Sequence, residues 1–227
     1  MNPVLMLTRN ALELTKAAVR SVLEQDIPAE LYVIDNDSTD GTPQFLREAG
    51  IKQWRRTEKN AVSAAWNFGL EYFFTVADCE HVLVVNNDIV LRPDTYRELL
   101  EDDGVFVTGV GVNRVEQLVG PLEKKRRPHP DFSCFLIRKA CWDRVGRFDE
   151  SMELYASDCD YHLRMHKRGI AAYTIGIPFF HEASGTLKYA ADDDRRTIEE
   201  RANLDRERFR QKWGFSVGSP EYAGVFD

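Results

Sequence analysis

No CxxC pair occurs among the four cysteines, Cys79, Cys134, Cys141 and Cys159, and they form no compact framework. A disulfide scaffold is therefore not expected, and a reducing, cytoplasmic setting is the simpler reading. No apolar run approaches the length needed to span a bilayer. The chain is thus expected to be soluble, or at most peripheral at the inner membrane face. The first residues enter a strand-like segment with no charged, apolar, small-residue leader, so no secretory signal is expected. The two standard phosphate cradles are missing: there is no GxGxxG after the first strand and no GxxxxGK[ST]. Neither a dinucleotide fold nor a P-loop is indicated. Positive charge is also short, with a net charge of −7, which argues against general nucleic-acid or anionic-membrane binding. There is no internal repeat and no low-complexity segment.

What the chain does have is a core. Its 227 residues are 43% hydrophobic and 30% charged, enough for one large α/β domain or two small ones. The stretch Val82-Leu83-Val84-Val85 reads as a strand buried on both faces, and it ends abruptly in Asn86-Asn87-Asp88. Earlier strands are predicted at Pro3–Leu7, ending in Thr8-Arg9-Asn10, and at Leu31–Ile34, ending in the loop Asp35–Thr42; Ile51–Trp54 is a weaker third. Helices are predicted between them, over Ala11–Gln25, from Pro43 to about Ala49, and over Val62–Val76. Such alternation implies a doubly wound, mainly parallel sheet flanked by helices. Right-handed crossovers then bring Thr8-Arg9-Asn10, the Asp35–Thr42 loop and Asn86-Asn87-Asp88 to one edge, where ligands of open α/β sheets gather.

Beyond Asp94–Glu101 (helix) and Val105–Val110 (strand), the pattern is less regular. Residues 111–131 read as loop, Phe132–Ile137 as strand, Tyr155–Lys167 as a helix closed by Gly169, and Ala171–Ile175 as a last buried strand. Asp192–Lys212 reads as a charged helix with Leu204, Phe209 and Trp213 as docking residues.

The converging edge is rich in acid: Asp35, Asp37, Asp40 and Asp88. Carboxylates cannot hold a diphosphate directly, but they can hold Mg2+ or Mn2+, which neutralises it. They can also accept hydrogen bonds from a base or ribose. The competing reading of Asn86-Asn87-Asp88 is a polar turn capping a strand.

Several motifs resemble family-2 glycosyltransferases of GT-A fold. They are Val33-Ile34-Asp35 through Thr42, Asn60 through Asn67-Phe68-Gly69, Val84-Val85-Asn86-Asn87-Asp88, Gly146-Arg147-Phe148-Asp149-Glu150, Ser157-Asp158-Cys159-Asp160 through Arg164 with Gly169, and His181 with Ser184-Gly185-Thr186. They follow the family's order from residue 4 to about 186. The resemblance implies a single GT-A domain over residues 1–190, with a Rossmann-like nucleotide-sugar half (1–110), an acceptor half (111–190) and a charged helical tail (191–227). It implies an inverting enzyme moving a sugar from a UDP-, GDP- or dTDP-sugar to a hydroxyl acceptor with Mn2+ or Mg2+. Surface-glycan or polysaccharide assembly is the expected setting.

By the same resemblance Asp35 contacts the nucleotide base, and Thr8, Arg9, Asn10, Asp37, Asn60, Asn67, Asn86 and Asn87 belong to the nucleotide-sugar site. Asp88 and His181 are the implied metal contacts, and Asp158 the catalytic base. Ser133, Ser157 and Asp160 fall on the acceptor side. Asn86 stands where the family's metal motif has its first acid, and Ser157 where it has a glutamate. Those departures favour the alternative of a non-catalytic nucleotide-sugar-binding domain.

The chemistry implied is economical. Inversion needs one base for the acceptor proton and electrostatic help for the leaving diphosphate. Asp158 at a helix start is expected to be held as a carboxylate by the dipole; plain helix capping is the bland reading of Asp158 and Asp160. His162 and His166 are four apart, but without a third ligand a packing role is favoured. Trp66 is expected in the core. The run Lys124-Lys125-Arg126-Arg127 reads as a solvated loop, or as a hold for a phosphate-bearing acceptor such as a lipid-linked glycan or hydroxymethylated viral DNA.

Overall fold

The computed structural model describes all residues except 57–60, 120–122, 128–129, 183–187, 189–191 and 227, and the backbone alone for 123–127 and 192–194. Chain order is β1 (Pro3–Thr8), α1 (Leu12–Leu23), β2 (Glu30–Asp35), α2 (Thr42–Glu48), β3 (Lys52–Arg55), α3 (Val62–Glu71) and β4 (His81–Asn86). There follow β5 (Ile89–Val90), α4 (Thr95–Glu101), β6 (Phe106–Val112), β7 (Glu123–Arg127), β8 (Cys134–Arg138) and α5 (Lys139–Val145). The last elements are α6 (Ser157–Lys167), β9 (Tyr173–His181), α7 (Asp192–Trp213) and α8 (Pro220–Ala223).

One sheet runs β3-β2-β1-β4-β8-β6-β9-β5, with β7 beside β9. The strands β3, β2, β1 and β4 are mutually parallel, as the alternation predicts. Beyond β4 the sheet becomes mixed, because β8 pairs antiparallel with both β4 and β6. The doubly wound expectation holds: the first half is parallel throughout, and in the second half β6 and β9 are also parallel.

Both faces of the sheet are covered. Along β1, Val4 and Met6 face α1, α2 and α4, packing with Val19, Val22, Leu46 and Leu99. Leu5 and Leu7 face the other way, toward α3, α5 and α6, with Trp66, Phe135, Trp142 and Tyr161. Full burial of such aliphatic side chains contributes about 1.5–3 kcal/mol each, which is why an all-apolar strand sequence is stable here.

Register then sets the edge. Thr8 lies beside Asp35, and Leu7 beside Asn86. The start of β8 reaches the end of β4 at Val85↔Cys134. The two-residue β5 pairs Ile89 with His181.

Three expectations are corrected. The basic run is not loop: Glu123–Arg127 is strand β7, antiparallel to β9. Four like charges in a row carry no alternation, and the strand forms because β9 offers its free edge. The last strand does not stop at Ile175 but runs to His181, through Pro178. Proline cannot donate to a ladder, and the β6–β9 register shifts between Thr108 and Val110 to accommodate it. The long helix over Val62–Val76 ends at Glu71 and continues as a wider π-helical turn, Tyr72–Val76.

The charged tail docks, but by a different set of residues. Phe209 and Ala202 are buried, and Phe209 packs with Met152, Ala156 and Leu163, with Trp213 alongside. Leu204 is 55% exposed and does not dock. Phe226 stacks on His162 at 4.0 Å and meets His166 edge-on, so both histidines do pack rather than chelate.

One glycine fixes how closely α3 lies on the sheet. A Cβ at Gly69 would sit 2.5 Å from Leu5 Cδ2 and 3.2 Å from Ile34 Cδ1, and both leucine and isoleucine are fully buried. Gly69→Val is expected to lose about 1–3 kcal/mol of stability through overpacking, read as a lower urea midpoint. An unchanged midpoint would mean that α3 can lift off β1.

Candidate functional site

A cleft of about 560 Å³ opens where these strand ends meet. Its walls come from both halves: Thr8 and Arg9, then Asn86-Asn87-Asp88, then Asp131 and Ser133, then Tyr155, Ser157 and Asp158, and His181.

The first wall is a hydrogen-bonded corner. Asn10 and Ala11 both take left-handed backbone, at φ 57°. Such residues persist only where neighbours over-determine them. Here the Asn10 N–H donates to Ser38 Oγ (2.8 Å) and its side-chain oxygen accepts from the Thr39 N–H (2.8 Å). Asp40 accepts from Leu12 N–H at the start of α1 and from Thr42 N–H at the start of α2. Asn87 Nδ2 donates to Thr15 Oγ1 (3.0 Å) and Thr8 Oγ1 (3.1 Å), pinning β4's end to α1. Most of the acids and amides in these loops thus build the corner.

Asp35 is fully buried; its Oδ1 accepts from Ser38 N–H at 2.9 Å, while Oδ2 has no hydrogen-bond partner among the described residues. The neighbouring Asn36, rather than Asp35, lines the cleft.

The second wall is electrostatic. Asp88 is 8% exposed, and its Oδ1 is buried without a hydrogen-bond partner among the described residues. His181 Nε2 stands 3.6 Å from that oxygen, beyond hydrogen-bond range. Burial opposes protonation of His181, but Asp88, with Asp131 and Glu182, outweighs it and raises the imidazole pKa. Ser133 Oγ lies 3.2 Å from His181 Nδ1. An orphaned carboxylate oxygen with an imidazole beside it fits a hard divalent cation whose remaining positions are filled by water or phosphate oxygens. Among the described residues no group of three or more His, Cys, Asp or Glu side chains could hold such an ion. The described residues therefore offer two donors here, and an anionic ligand could complete the shell.

The third wall carries Asp158. It sits in the first turn of α6, just after Ala156 in left-handed backbone (φ 63°). Its Oδ1 accepts from the Cys159 N–H at 2.8 Å. The dipole does not dominate as expected. Burial pushes the carboxyl pKa up, and nearby Asp131 adds to the rise, against the pull of the backbone N–H groups. A raised pKa makes the carboxylate a better proton acceptor than an ordinary surface acid.

Besides Asn10 and Asp35, which do not line the cleft, four further expected site residues lie elsewhere or outside the described residues. Asn67 is fully buried on α3; its amide bonds Phe148 O (2.9 Å), Phe148 N–H (2.7 Å) and Glu150 (2.8 Å), tying the 146–150 loop to the helix. Asp37 pairs on the surface with Arg55 at 3.0 Å. Asp160 is fully buried and faces away from the cleft, to Arg164 (2.8 Å), Lys212 (2.7 Å) and Trp213 Nε1 (2.9 Å). Asn60, with Ser184-Gly185-Thr186, falls outside the described residues.

Sequence reading missed Asp131, Leu154 and Tyr155, which all line the cleft. Trp66 packs in the core as expected, yet also reaches the cleft wall. Asp131 is legible only as a lone acid before β8. The residues holding the Leu154–Tyr155 turn come from α7: fully buried Asp205 accepts from Leu154 N–H (2.7 Å) and Tyr155 N–H (3.1 Å), and Arg201 pairs with Glu153 (2.5 Å).

The family model for glycosyl transferase family 2 matches residues 4–170. The low-salt glycan biosynthesis hexosyltransferase Agl10 of Haloferax volcanii is 23% identical over 168 residues, 63% of this chain. The chain spans 55% of that relative's length. Staphylococcus aureus TarS in complex with UDP-GlcNAc superimposes with a TM-score of 0.62 at 16% identity, covering 100% of this chain and 78% of that one. The Pyrobaculum calidifontis mannosyltransferase PcManGT in complex with GDP-Man and Mn2+ gives 0.60 at 18% identity, covering 98% and 77%. At such identities the two structures establish the GT-A fold alone.

Asp205→Ala is expected to cost about 1.5–3 kcal/mol, the range for hydrogen bonds to a charged group, and to speed hydrogen exchange at the Leu154 and Tyr155 amides. Unchanged exchange there would show that α7 does not hold the turn.

Proposed function

The chain belongs to glycosyl transferase family 2, and on that premise we propose that it is a metal-dependent, inverting glycosyltransferase that moves a sugar from a nucleoside-diphosphate donor to a hydroxyl acceptor in glycan assembly. The observation that carries this reading is the charge inventory of the cleft. Among the described residues, Asp88, Asp131 and Asp158 line it, against the guanidinium of Arg9 and the imidazole of His181. A diphosphate entering such a cleft meets net repulsion unless a cation comes with it. Asp88 and His181 would hold that cation, and the cation would neutralise charge on the departing nucleoside diphosphate.

The chain's own residues do the rest. Arg9 Nε is buried without a hydrogen-bond partner among the described residues, which suits it to a phosphate or base oxygen. Asp35 Oδ2, also unpartnered, supports a base contact reached through the Asp35–Asn36 corner. Asp158 accepts the acceptor hydroxyl's proton as its oxygen attacks the anomeric carbon. With one base and no nucleophilic side chain required, the attack is a single displacement and inverts the centre. Ser133 and Ser157 line the same cleft and suit the acceptor side.

The Agl10 relative's glycan setting supports glycan over modified DNA as the acceptor class, as does the net charge of −7. UDP-GlcNAc and GDP-Man in the two related structures support a nucleotide-sugar donor without choosing the base. Among the described residues no helix is long and apolar enough to cross a membrane.

Asp158→Asn should keep donor binding and lose about 10²–10⁴-fold in transfer rate, the usual worth of a general base; undiminished transfer would remove Asp158 from that role. The sign of the pH dependence follows from its raised pKa. Transfer falls as pH drops through that pKa, so the acid limb lies higher than an unperturbed aspartate would place it, and Asp131→Asn moves it lower. A limb unmoved by Asp131→Asn would contradict the pairing of the two acids. For the metal, wild type should be thermally stabilised by UDP or GDP far more with Mn2+ than with chelator, by mass action. Asp88→Asn should abolish the difference; an intact Mn2+ effect would relocate the ion.

A further inference from the structure

Beside the main cleft lies a second cavity of about 260 Å³, lined by Tyr155, Ile198, Glu199, Ala202, Asn203 and Arg206. Tyr155 and Ile198 line both spaces, so the two are adjacent. Apart from Tyr155, the whole lining comes from α7, which lies beyond the family-matched residues 4–170. Residues 198, 199, 202, 203 and 206 are three and four apart, so they form one face of that helix. The same helix fixes the opposite wall, because Asp205 holds the Tyr155 N–H. Tyr155 is 36% exposed, with the Arg206 guanidinium 5.4 Å from its ring centroid. Arg206 in turn donates to Asn203 Oδ1 at 2.9 Å.

The chemistry of this lining is specific. An aromatic ring with Ile198 and Ala202 suits an apolar C–H face. An amide, a carboxylate and a guanidinium suit a ring of hydroxyls. Glu199 and Arg206 both line the cavity and their formal charges cancel, so a neutral ligand suits it better than an anion.

We propose that this cavity is an acceptor subsite, which binds a neutral pyranose unit one residue removed from the hydroxyl that is glycosylated. The inference rests on the proposed glycosyl-transfer reading and adds that α7 selects acceptors of two or more sugars.

The test uses the full chain with Mn2+ and UDP or GDP. The probes are p-nitrophenyl glycosides of glucose, mannose, galactose and N-acetylglucosamine, each as mono- and disaccharide. Binding is measured by saturation-transfer NMR titration, and nucleotide binding by thermal shift in the same samples. The variants are Asn203→Trp, which fills the cavity from an exposed helix position, and Arg206→Ala. Wild type should bind at least one disaccharide tenfold or more tighter than its monosaccharide. Both variants should erase that advantage while monosaccharide and nucleotide binding stay unchanged.

Equal affinities in wild type, an advantage that survives both variants, or no saccharide binding at all would overturn the subsite. A disaccharide advantage lost in the variants but without metal-dependent nucleotide binding would sustain the subsite and sink the donor reading, so the two failures are distinguishable.

Discussion

The structure depends on bringing like charges together at the end of a sheet. Asp88, Asp131 and Asp158 come from β4's end, the entry to β8 and the first turn of α6, and they line one cleft. Burial raises the carboxyl pKa of Asp158, and Asp131 adds to the rise. The fold holds this arrangement because its cost is spread over a large core packed on both sheet faces. The Oδ1 of Asp88, without a hydrogen-bond partner among the described residues, is the atom that a bound cation would satisfy.

Each acid is held by a different device. Asp88 is carried by strand register, and His181 reaches it because the two-residue β5 pairs with the end of β9. Asp158 is carried by a turn with left-handed Ala156, held from outside by α7 through Asp205 and the Glu153–Arg201 pair. The charged C-terminal helix is thus a buttress of the site as well as a wall of its side cavity. Its docking rests on a small separate cluster around Phe209 and on Asp160, whose carboxylate ties α6 to Lys212 and Trp213.

Much of this was legible in the sequence where periodicity is strong. The alternation through β4 predicts the parallel half and the convergence of Thr8, Asp35 and Asn86, because register follows from burial on both faces. The rest was hidden for physical reasons. Strand β7 consists of charged residues and exists only because β9 has a free edge. The continuation of β9 through Pro178 needs a register shift that no local pattern announces. Asn67 and Asp160 match family motifs, yet each is bonded to a structural partner far along the chain, Phe148 and Trp213 respectively. Those partners are 81 residues away in one case and 53 in the other, which no local reading can supply. Asp131 and Tyr155 went unseen because an acid in a loop and a tyrosine before a helix look the same in a site or outside it.

The metal reading rests on Asp88 Oδ1 with His181 beside it, and anomalous diffraction at the manganese edge tests it most directly. Crystals grown with Mn2+ and UDP or GDP should give one anomalous peak in contact with Asp88 Oδ1 and with phosphate oxygens of the nucleotide. A nucleotide seated in the cleft with its diphosphate on Arg9, and no peak at Asp88, would contradict it.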